Sequence, residues 1–268
     1  MLVFFEQIVA EEDPEEGLLC CKIGVKNLQD VAQSTIKLYP GERIDDLMFN
    51  GLKIIQSREV FSFSIDAVLL AEFAAIPKRG RVLDLCTGNG VIPLLLSEKT
   101  NGTIDAVEIQ PRLADMAKRS VALNGLEDRI RIIEGDLRHY VKKAGYGVYD
   151  AVTVNPPYMP VTGGDVNGSE YYAIARHELY CTLEDVVEAC ARLVKPGGKV
   201  TMIHRPSRFL DIMDSLRRWK LEPKRVRFVH HHAKAEATMV LIEALRDGRP
   251  DLKLLPPLFV EERNPTAI

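Results

Sequence analysis

The chain has 268 residues, of which 46% are apolar and 27% charged, enough for one large domain with a full core or for a domain plus an appendage. A net charge of −3 and a pI near 6.1 mean that any nucleic-acid partner has to be met by a local basic face and not by a global field. The cysteines (Cys20, Cys21, Cys86, Cys181 and Cys190) are odd in number and have no C-x-x-C spacing, which argues against a disulfide framework and a zinc site and fits a reducing cytoplasm.

In chain order, the start Met1-Leu-Val-Phe-Phe5 lacks the basic flank and long apolar stretch of a signal peptide, and no later run is long enough to span a bilayer. No membrane partner is expected. Glu6, Glu11, Glu12, Asp13, Glu15 and Glu16 precede the first basic residue, Lys22, so residues 1–38 read as an acidic, loosely packed appendage to a domain covering 39–268. Gly41–Leu47 reads as a short element and Leu52–Gln56 as a strand. In Phe61-Ser-Phe-Ser-Ile-Asp-Ala-Val-Leu-Leu-Ala, Ser64 is a candidate N-cap for a helix that packs through Val68, Leu69, Ala71 and Phe73. From Arg81 strand and helix signals alternate: strands at Val82–Cys86, Thr103–Glu108, Arg129–Glu134, Tyr149–Val154 and Lys199–His204; helices at Val91–Lys99, Pro111–Leu123, Leu137–Lys143, Thr182–Leu193 and Arg208–Trp219. The helix ending at Leu193 is expected to stop at Lys195-Pro-Gly-Gly198. Two consecutive strands, Arg225–Val229 and Thr238–Ala244, close the series. The pattern predicts an α/β fold: a mostly parallel seven-stranded sheet with helices on both faces and one antiparallel strand at an edge.

Ligands of such sheets lie beyond the carboxyl ends of the strands. There the first strand gives Asp84-Leu-Cys-Thr-Gly-Asn-Gly90, where Gly88 and Gly90 allow a tight turn and close approach of a ligand. Position 93 is Pro, so the third glycine of a dinucleotide fingerprint is missing. The second strand ends at Glu108, a carboxylate suited to two ribose hydroxyls. After the third comes Asp136, suited to an adenine NH2, with Leu137 against the ring. The fourth ends at Asn155-Pro-Pro-Tyr158, where two prolines stop the strand and leave the Asn155 side chain and the Pro156 carbonyl as planar acceptors beside an aromatic face. Acceptors so arranged suit an NH2 group on a conjugated ring. An adenosine pocket without a phosphate site favours S-adenosylmethionine over NAD, with its sulfonium methyl facing Asn155.

These motifs resemble those of class I S-adenosylmethionine-dependent methyltransferases that act on amino groups, whose fold is Rossmann-like. More narrowly, Phe61–Ala71 together with Ala175-Arg-His-Glu178 resembles the bacterial family that includes the valine-tRNA adenine N6-methyltransferases, over about residues 38–262. The resemblance implies cofactor contacts from Phe63, Ser64, Asp84, Thr87, Gly88, Gly90, Glu108, Ile109, Asp136, Leu137 and Asn155. It implies methyl transfer at Asn155, Pro156, Pro157 and Tyr158.

On the substrate side, Arg176 and His177 follow a glycine-containing loop (Gly163, Gly164, Gly168), and Arg205 follows the next strand end, so these are the expected RNA contacts. A second basic cluster, Arg217, Arg218, Lys220, Lys224, Arg225 and Arg227, reads as a solvated helix end and a charged edge strand. His230-His-His232 alternate in direction along a strand and cannot converge, so no metal is expected. Trp219 reads as packing, not as a stacking platform. Other readings share the site: a DNA adenine methyltransferase, which should carry an added target-recognition region; a protein glutamine methyltransferase, which should carry an N-terminal helical module; and a nucleic-acid-binding module that keeps the cofactor pocket without turnover.

Overall fold

Runs of apolar residues buried on both sides set the centre of the fold in the computed structural model, which describes residues 10–12, 19–21, 36–47, 50–58, 60, 64–158 and 181–261. β1 (Ala10–Glu12), β2 (Leu19–Cys21) and β3 (Ile36–Leu38) make a small antiparallel sheet, and β4 (Glu42–Asp46) pairs with β5 (Lys53–Ser57) as a hairpin. After α1 (Ile65–Phe73) come β6 (Arg81–Leu85), α2 (Val91–Ser97), β7 (Thr103–Glu108), α3 (Pro111–Leu123), β8 (Ile130–Glu134), α4 (Leu137–Ala144) and β9 (Tyr149–Val154). The chain resumes with α5 (Leu183–Leu193), β10 (Val194–His204), a 3-10 turn at Pro206–Arg208, α6 (Phe209–Arg218), β11 (Leu221–His230), β12 (Ala237–Arg246), β13 (Lys253–Leu254) and β14 (Leu258–Phe259).

The main sheet runs in the order β8-β7-β6-β9-β10-β12-β11-β13, with β14 also against β11. Strands β8 to β10 are parallel, and their central members are buried almost throughout because helices cover both faces. The expected class is met, with a refinement. The reversed strand, β12, lies between β10 and β11 and not outermost, and two short strands extend the sheet to nine. The cause is connectivity. Helix α6 carries the chain over to β11, which runs the same way as β10, and the return strand of the β11–β12 hairpin fills the gap between them.

Local chemistry explains two further boundaries. Thr182 and Asp185 form a reciprocal capping box, Thr182 Oγ1 accepting the Asp185 N–H and the Asp185 carboxylate accepting the Thr182 N–H, so α5 starts where its sequence sets it. Lys195-Pro-Gly-Gly198 does not form a separate terminator. It lies inside β10 as an irregularity, across which the pairing with β9 shifts between Val194 and Lys199.

The expected boundary at residue 38 falls at the end of β3. Ile36 and Leu38 are buried in one cluster with Ile55, Val60, Leu113 and Met116, so this part of the acidic segment is packed on α3. Arg119 of α3 reinforces the join: it donates twice to Glu42 (2.6 and 2.8 Å), to Asp115 (2.8 Å) and to the Lys37 carbonyl (2.9 Å), and the Glu42 side chain is fully enclosed. Helix α3 also caps β5, through Ser120 Oγ accepting the Ile55 N–H and Asn124 bonding both the N–H and the carbonyl of Lys53. Among the described residues no helix is long and apolar enough to cross a membrane.

Arg119→Met strands an enclosed carboxylate, so it is expected to cost about 3–5 kcal/mol. Glu42→Gln added to it should restore most of that loss, because the amide still accepts the Tyr39 N–H without a charge to pair. Urea midpoints of the native protein, the single and the double variant check this; a single variant as stable as the native protein counts against the clamp.

Candidate active site

Four strand ends line up. Leu85 of β6 pairs with Val107 of β7 and Val154 of β9, and Glu108 of β7 pairs with Glu134 of β8. The residues after these partners therefore emerge at one edge of the sheet. Three inter-strand spacings, about 14 Å in all, separate the β9 end from the β8 end, a distance a nucleoside with a short side arm can bridge.

The turn after β6 is built by backbone conformations most side chains avoid. Gly90, at φ +89°, opens α2, and a Cβ there would meet the Cβ of Ala117 at 3.1 Å, so only glycine lets α2 and α3 approach this closely. Glu108, almost fully buried, holds the turn from the neighbouring strand: one carboxylate oxygen accepts the Gly88 N–H (2.8 Å) and the other the Gln110 N–H (2.9 Å). Burial raises its pKa, and these amide donors oppose the rise. The Ile109 N–H also acts on this carboxylate, which leaves about one of its four lone-pair sites for a hydroxyl donor.

Asp84 is fully buried beneath this turn. It stands across from Thr153 of β9, whose hydroxyl donates to Asp84 Oδ1 at 2.6 Å. Loss of solvent pushes its carboxyl up to about 7, against the lowering effect of the Thr153 bond. Asp136 takes the N-cap position of α4, accepts the Arg138 N–H at 2.8 Å and is held bidentately by the Arg138 guanidinium. Hydrogen bonding to Arg138 lowers its pKa. That partner is additional to the sequence reading, and it occupies the carboxylate edge expected to meet an adenine amine. Leu137 is buried in the core cluster beside α5. Ile109, between Glu108 and the α3 cap, is half-buried.

At the end of β9, Asn155 and Tyr158 are half-buried and Pro156 is buried. The Tyr158 hydroxyl donates to Asn155 Oδ1 and has Asp66 Oδ2 of α1 at 3.4 Å. His204, at the end of β10, meets the Tyr158 ring in a T-shaped contact with centroids 5.2 Å apart, and the Arg205 guanidinium carbon lies 5.3 Å from that ring's centre. Arg205 also donates to the Thr238 carbonyl at 3.3 Å. His204 Nδ1 accepts the Arg205 N–H, and burial lowers the imidazole pKa to about 4. Ser64 stands at the N-cap position of α1, yet its side chain makes no capping bond. Phe63, Arg176 and His177 lie outside the described residues.

Buried polar atoms that find no hydrogen-bond partner concentrate here. Among the described residues they include Asp84 Oδ2, Thr87 Oγ1, Asn89 Oδ1, Gln110 Oε1 and His204 Nε2, the Thr87 hydroxyl lying near enough to lower the Asp84 pKa but not in bonding geometry; two others, on Arg129 and Arg227, lie elsewhere. Buried polar groups are ordinarily paired, so such a cluster at one sheet edge marks a place for a polar ligand. Asn89, Gln110, His204 and Asp66 were not singled out by sequence reasoning. Asn89 lies inside the glycine turn and Gln110 just before a helix-opening proline, signals that could have pointed to them. Two open grooves of about 530 Å³ lie at the opposite, amino-terminal ends of the strands, around Thr103 and Arg131 and around Tyr146 and Trp219. Size alone does not make either the site, since the five unpaired groups gather at the other edge.

The basic cluster on α6 and β11 is largely used within the fold: Arg225 pairs with Glu243, Arg218 with Glu184 and Arg217 with Glu222. Trp219 packs against the core and donates to Glu184 at 2.7 Å.

The folded protein holds the Asp84 proton more tightly than an unfolded chain does. Stability from this group is therefore full below pH 3.8 and is lost as pH rises towards 7. Asp84→Asn has no such proton to lose. Relative to the native protein it should gain on the order of 3–4 kcal/mol between pH 4 and pH 8, read by urea unfolding without cofactor. A difference that does not change with pH contradicts the assignment.

A family model described as methyltransferase small domain matches residues 51–219, from the second arm of the hairpin to the end of α6. Relatives named tRNA1(Val) (adenine(37)-N6)-methyltransferase include one from Aeromonas salmonicida, 31% identical over 157 residues, or 58% of this chain and 64% of that protein. Another, from Phocaeicola vulgatus, is 26% identical over 194 residues, or 72% and 81%. The chain thus matches a little under two thirds of the length of the first of them. In fold it is similar to a predicted O-methyltransferase from Agrobacterium tumefaciens (TM-score 0.60, 20% identity, 73% and 88% of the two chains). It is also similar to P. horikoshii TYW2 in complex with MeSAdo (TM-score 0.56, 15% identity, 80% and 75%).

Proposed function

The chain belongs to the methyltransferase small domain family, and from that premise we propose that it methylates the exocyclic N6 amine of an adenine in RNA, the adenine at position 37 of valine tRNA in particular. The observation that carries this reading is the meeting, at one sheet edge, of the Asn155–Tyr158 tip with the strand and helix ends that hold the unpaired buried groups. Support for the substrate comes from the relatives, whose names specify that nucleotide.

The residues present fit S-adenosylmethionine. Glu108 would hold a ribose hydroxyl, Gly88 and Gly90 let the backbone come close, and Thr87, Asn89 and Gln110 carry unused polar atoms for the cofactor. Ile109 and Leu137 would flank the adenine ring. Its amine would reach Asp136 once Arg138 swings out, a small cost for a guanidinium about half exposed. When bound, the cofactor supplies a methyl group on a sulfonium centre that leaves as a neutral thioether.

The protein's part is positioning and electrostatics. An adenine from a single-stranded loop lies on the Tyr158 face while its NH2 donates to Asn155 Oδ1 and the Pro156 carbonyl, and Pro157 keeps the tip rigid. As the carbon–nitrogen bond forms, the nitrogen becomes positive, and the two carbonyl dipoles stabilise that charge before the extra proton passes to water. Arg205, with Arg176 and His177, would contact the RNA strand. Work on tRNA suits the cytoplasm, where Cys86, Cys181 and Cys190 stay reduced.

Mass spectrometry of nucleosides from tRNA incubated with enzyme and cofactor should reveal new N6-methyladenosine. Methyl label entering DNA or protein instead would move the reading to those substrates. Asn155→Ala should keep cofactor affinity and lose about 10²- to 10³-fold in kcat; unchanged turnover removes the mechanism.

A further inference from the structure

The tip holds a proton where the substrate amine is expected. Tyr158 Oη donates to Asn155 Oδ1, the acceptor assigned to the amine, while a second acceptor, Asp66 Oδ2, stands 3.4 Å from the same hydroxyl. A phenol has one proton to donate. The Asp66 separation is longer than the roughly 2.5–3.0 Å of a formed O–H···O bond, so in this state the proton belongs to Asn155. A carbonyl that already accepts a phenol has less negative charge to offer a nitrogen that is becoming positive.

We propose that Asp66 is a positioning residue which takes over the Tyr158 hydroxyl as the amine arrives and so frees Asn155 Oδ1. The inference rests on the methyl-transfer reading given above. Asp66 touches no reacting atom and acts only through Tyr158. Three features of the geometry suit an exchange of partners without movement of the stacking face. The Tyr158 ring is held edge-on by His204 and lies under Arg205, so the ring stays while the O–H bond turns. Asp66 is the second residue of α1, a helix whose Ala67, Val68, Leu69, Leu70 and Ala71 are all buried, so the carboxylate is carried on a fixed support. A charged acceptor also forms a stronger hydrogen bond than an amide, roughly twofold, so the hydroxyl has a good alternative once an incoming amine competes for Asn155.

A kinetic cycle on tRNA tests this. Asp66→Ala should lower kcat about tenfold, with little change in cofactor Kd. In the Tyr158→Phe background, which keeps the ring and removes the hydroxyl, Asp66→Ala should have no further effect. Equal losses in both backgrounds overturn the inference, because a merely structural role of Asp66 is indifferent to one oxygen on Tyr158. A second readout needs no turnover. With ¹³Cζ-labelled tyrosine, the Tyr158 line, assigned by its absence in Tyr158→Phe, should move on addition of adenosine with S-adenosylhomocysteine and should not move in Asp66→Ala. A line insensitive to adenosine, or one moving alike in both proteins, overturns it too. Retained turnover in Asn155→Ala would sink the underlying methyl-transfer reading, whereas loss of turnover there together with an uncoupled Asp66 sinks only the exchange.

Discussion

One buried carboxylate keeps the strand ends in register. Glu108 closes β7 and accepts the Gly88 N–H on one side and the Gln110 N–H on the other, so the turn after β6 and the start of α3 both hang from it. Hydrogen bonds to a charged group contribute about 1.5–3 kcal/mol each, which offsets part of the cost of burying the acid. From that point the support spreads outward. Gly90 seats α2 against Ala117, and Asn89 donates to the Ile55 carbonyl, which joins the turn to the hairpin. The hairpin is bonded in turn to α3 by Ser120, Asn124 and Arg119. A displacement of α3 would thus be felt at the hairpin and at the glycine turn together.

The same edge is where the fold gives up stability. Each buried polar atom without a partner costs about 1–3 kcal/mol, and five such atoms collect at the strand ends while the opposite edge is tied by pairs such as Lys195 with Asp150. Asp84 adds a carboxyl held near its ionisation point by burial. Local rules are obeyed along the helices and strands and broken mainly here, the distribution expected when a site is kept open for a ligand able to supply the missing partners. The unpaired groups come from four different elements, the turn after β6, the N-cap of α3, the end of β10 and β6 itself. Only a ligand lying across several strands can serve them together.

What sequence could and could not reveal divides by range. The alternation from β6 to β10, the proline at the first turn of α3 and the glycine turn were legible because their signals lie within a few residues. Four motifs at successive strand ends were legible because parallel topology brings carboxyl ends to one edge. Partners were not legible. Nothing in Gly135-Asp-Leu-Arg138 announces that Arg138 folds back on Asp136, and the Tyr158 contacts with Asp66, His204 and Arg205 join residues up to 92 positions apart. Likewise Lys195-Pro-Gly-Gly198 has the composition of a helix stop, but pairing with β9 on either side of it makes the segment part of a strand. The insertion of β12 beside β10 is set by a crossover, which no local pattern encodes.

Neutrality of His204 links the core to the chemistry of the tip. The imidazole is fully buried at the end of β10, accepts the Arg205 N–H through Nδ1, and is kept uncharged near neutral pH by desolvation, with Arg208 adding to the effect. On the proposed reaction, in which a nitrogen held by the carbonyls of Asn155 and Pro156 becomes positive, a protonated ring edge-on to Tyr158 would set a second positive charge beside it. Burial removes that charge at any pH well above 4. The positive charge that remains against the ring, on Arg205, is spread over a planar guanidinium bonded to the Thr238 carbonyl, where the negative ring face and the carbonyl dipole both temper its field. The packing that encloses His204 thus keeps a charge away from the Tyr158 ring, and under the proposed role of Asn155 as an acceptor a change that let water reach the imidazole would weaken the tip without touching any of its four residues.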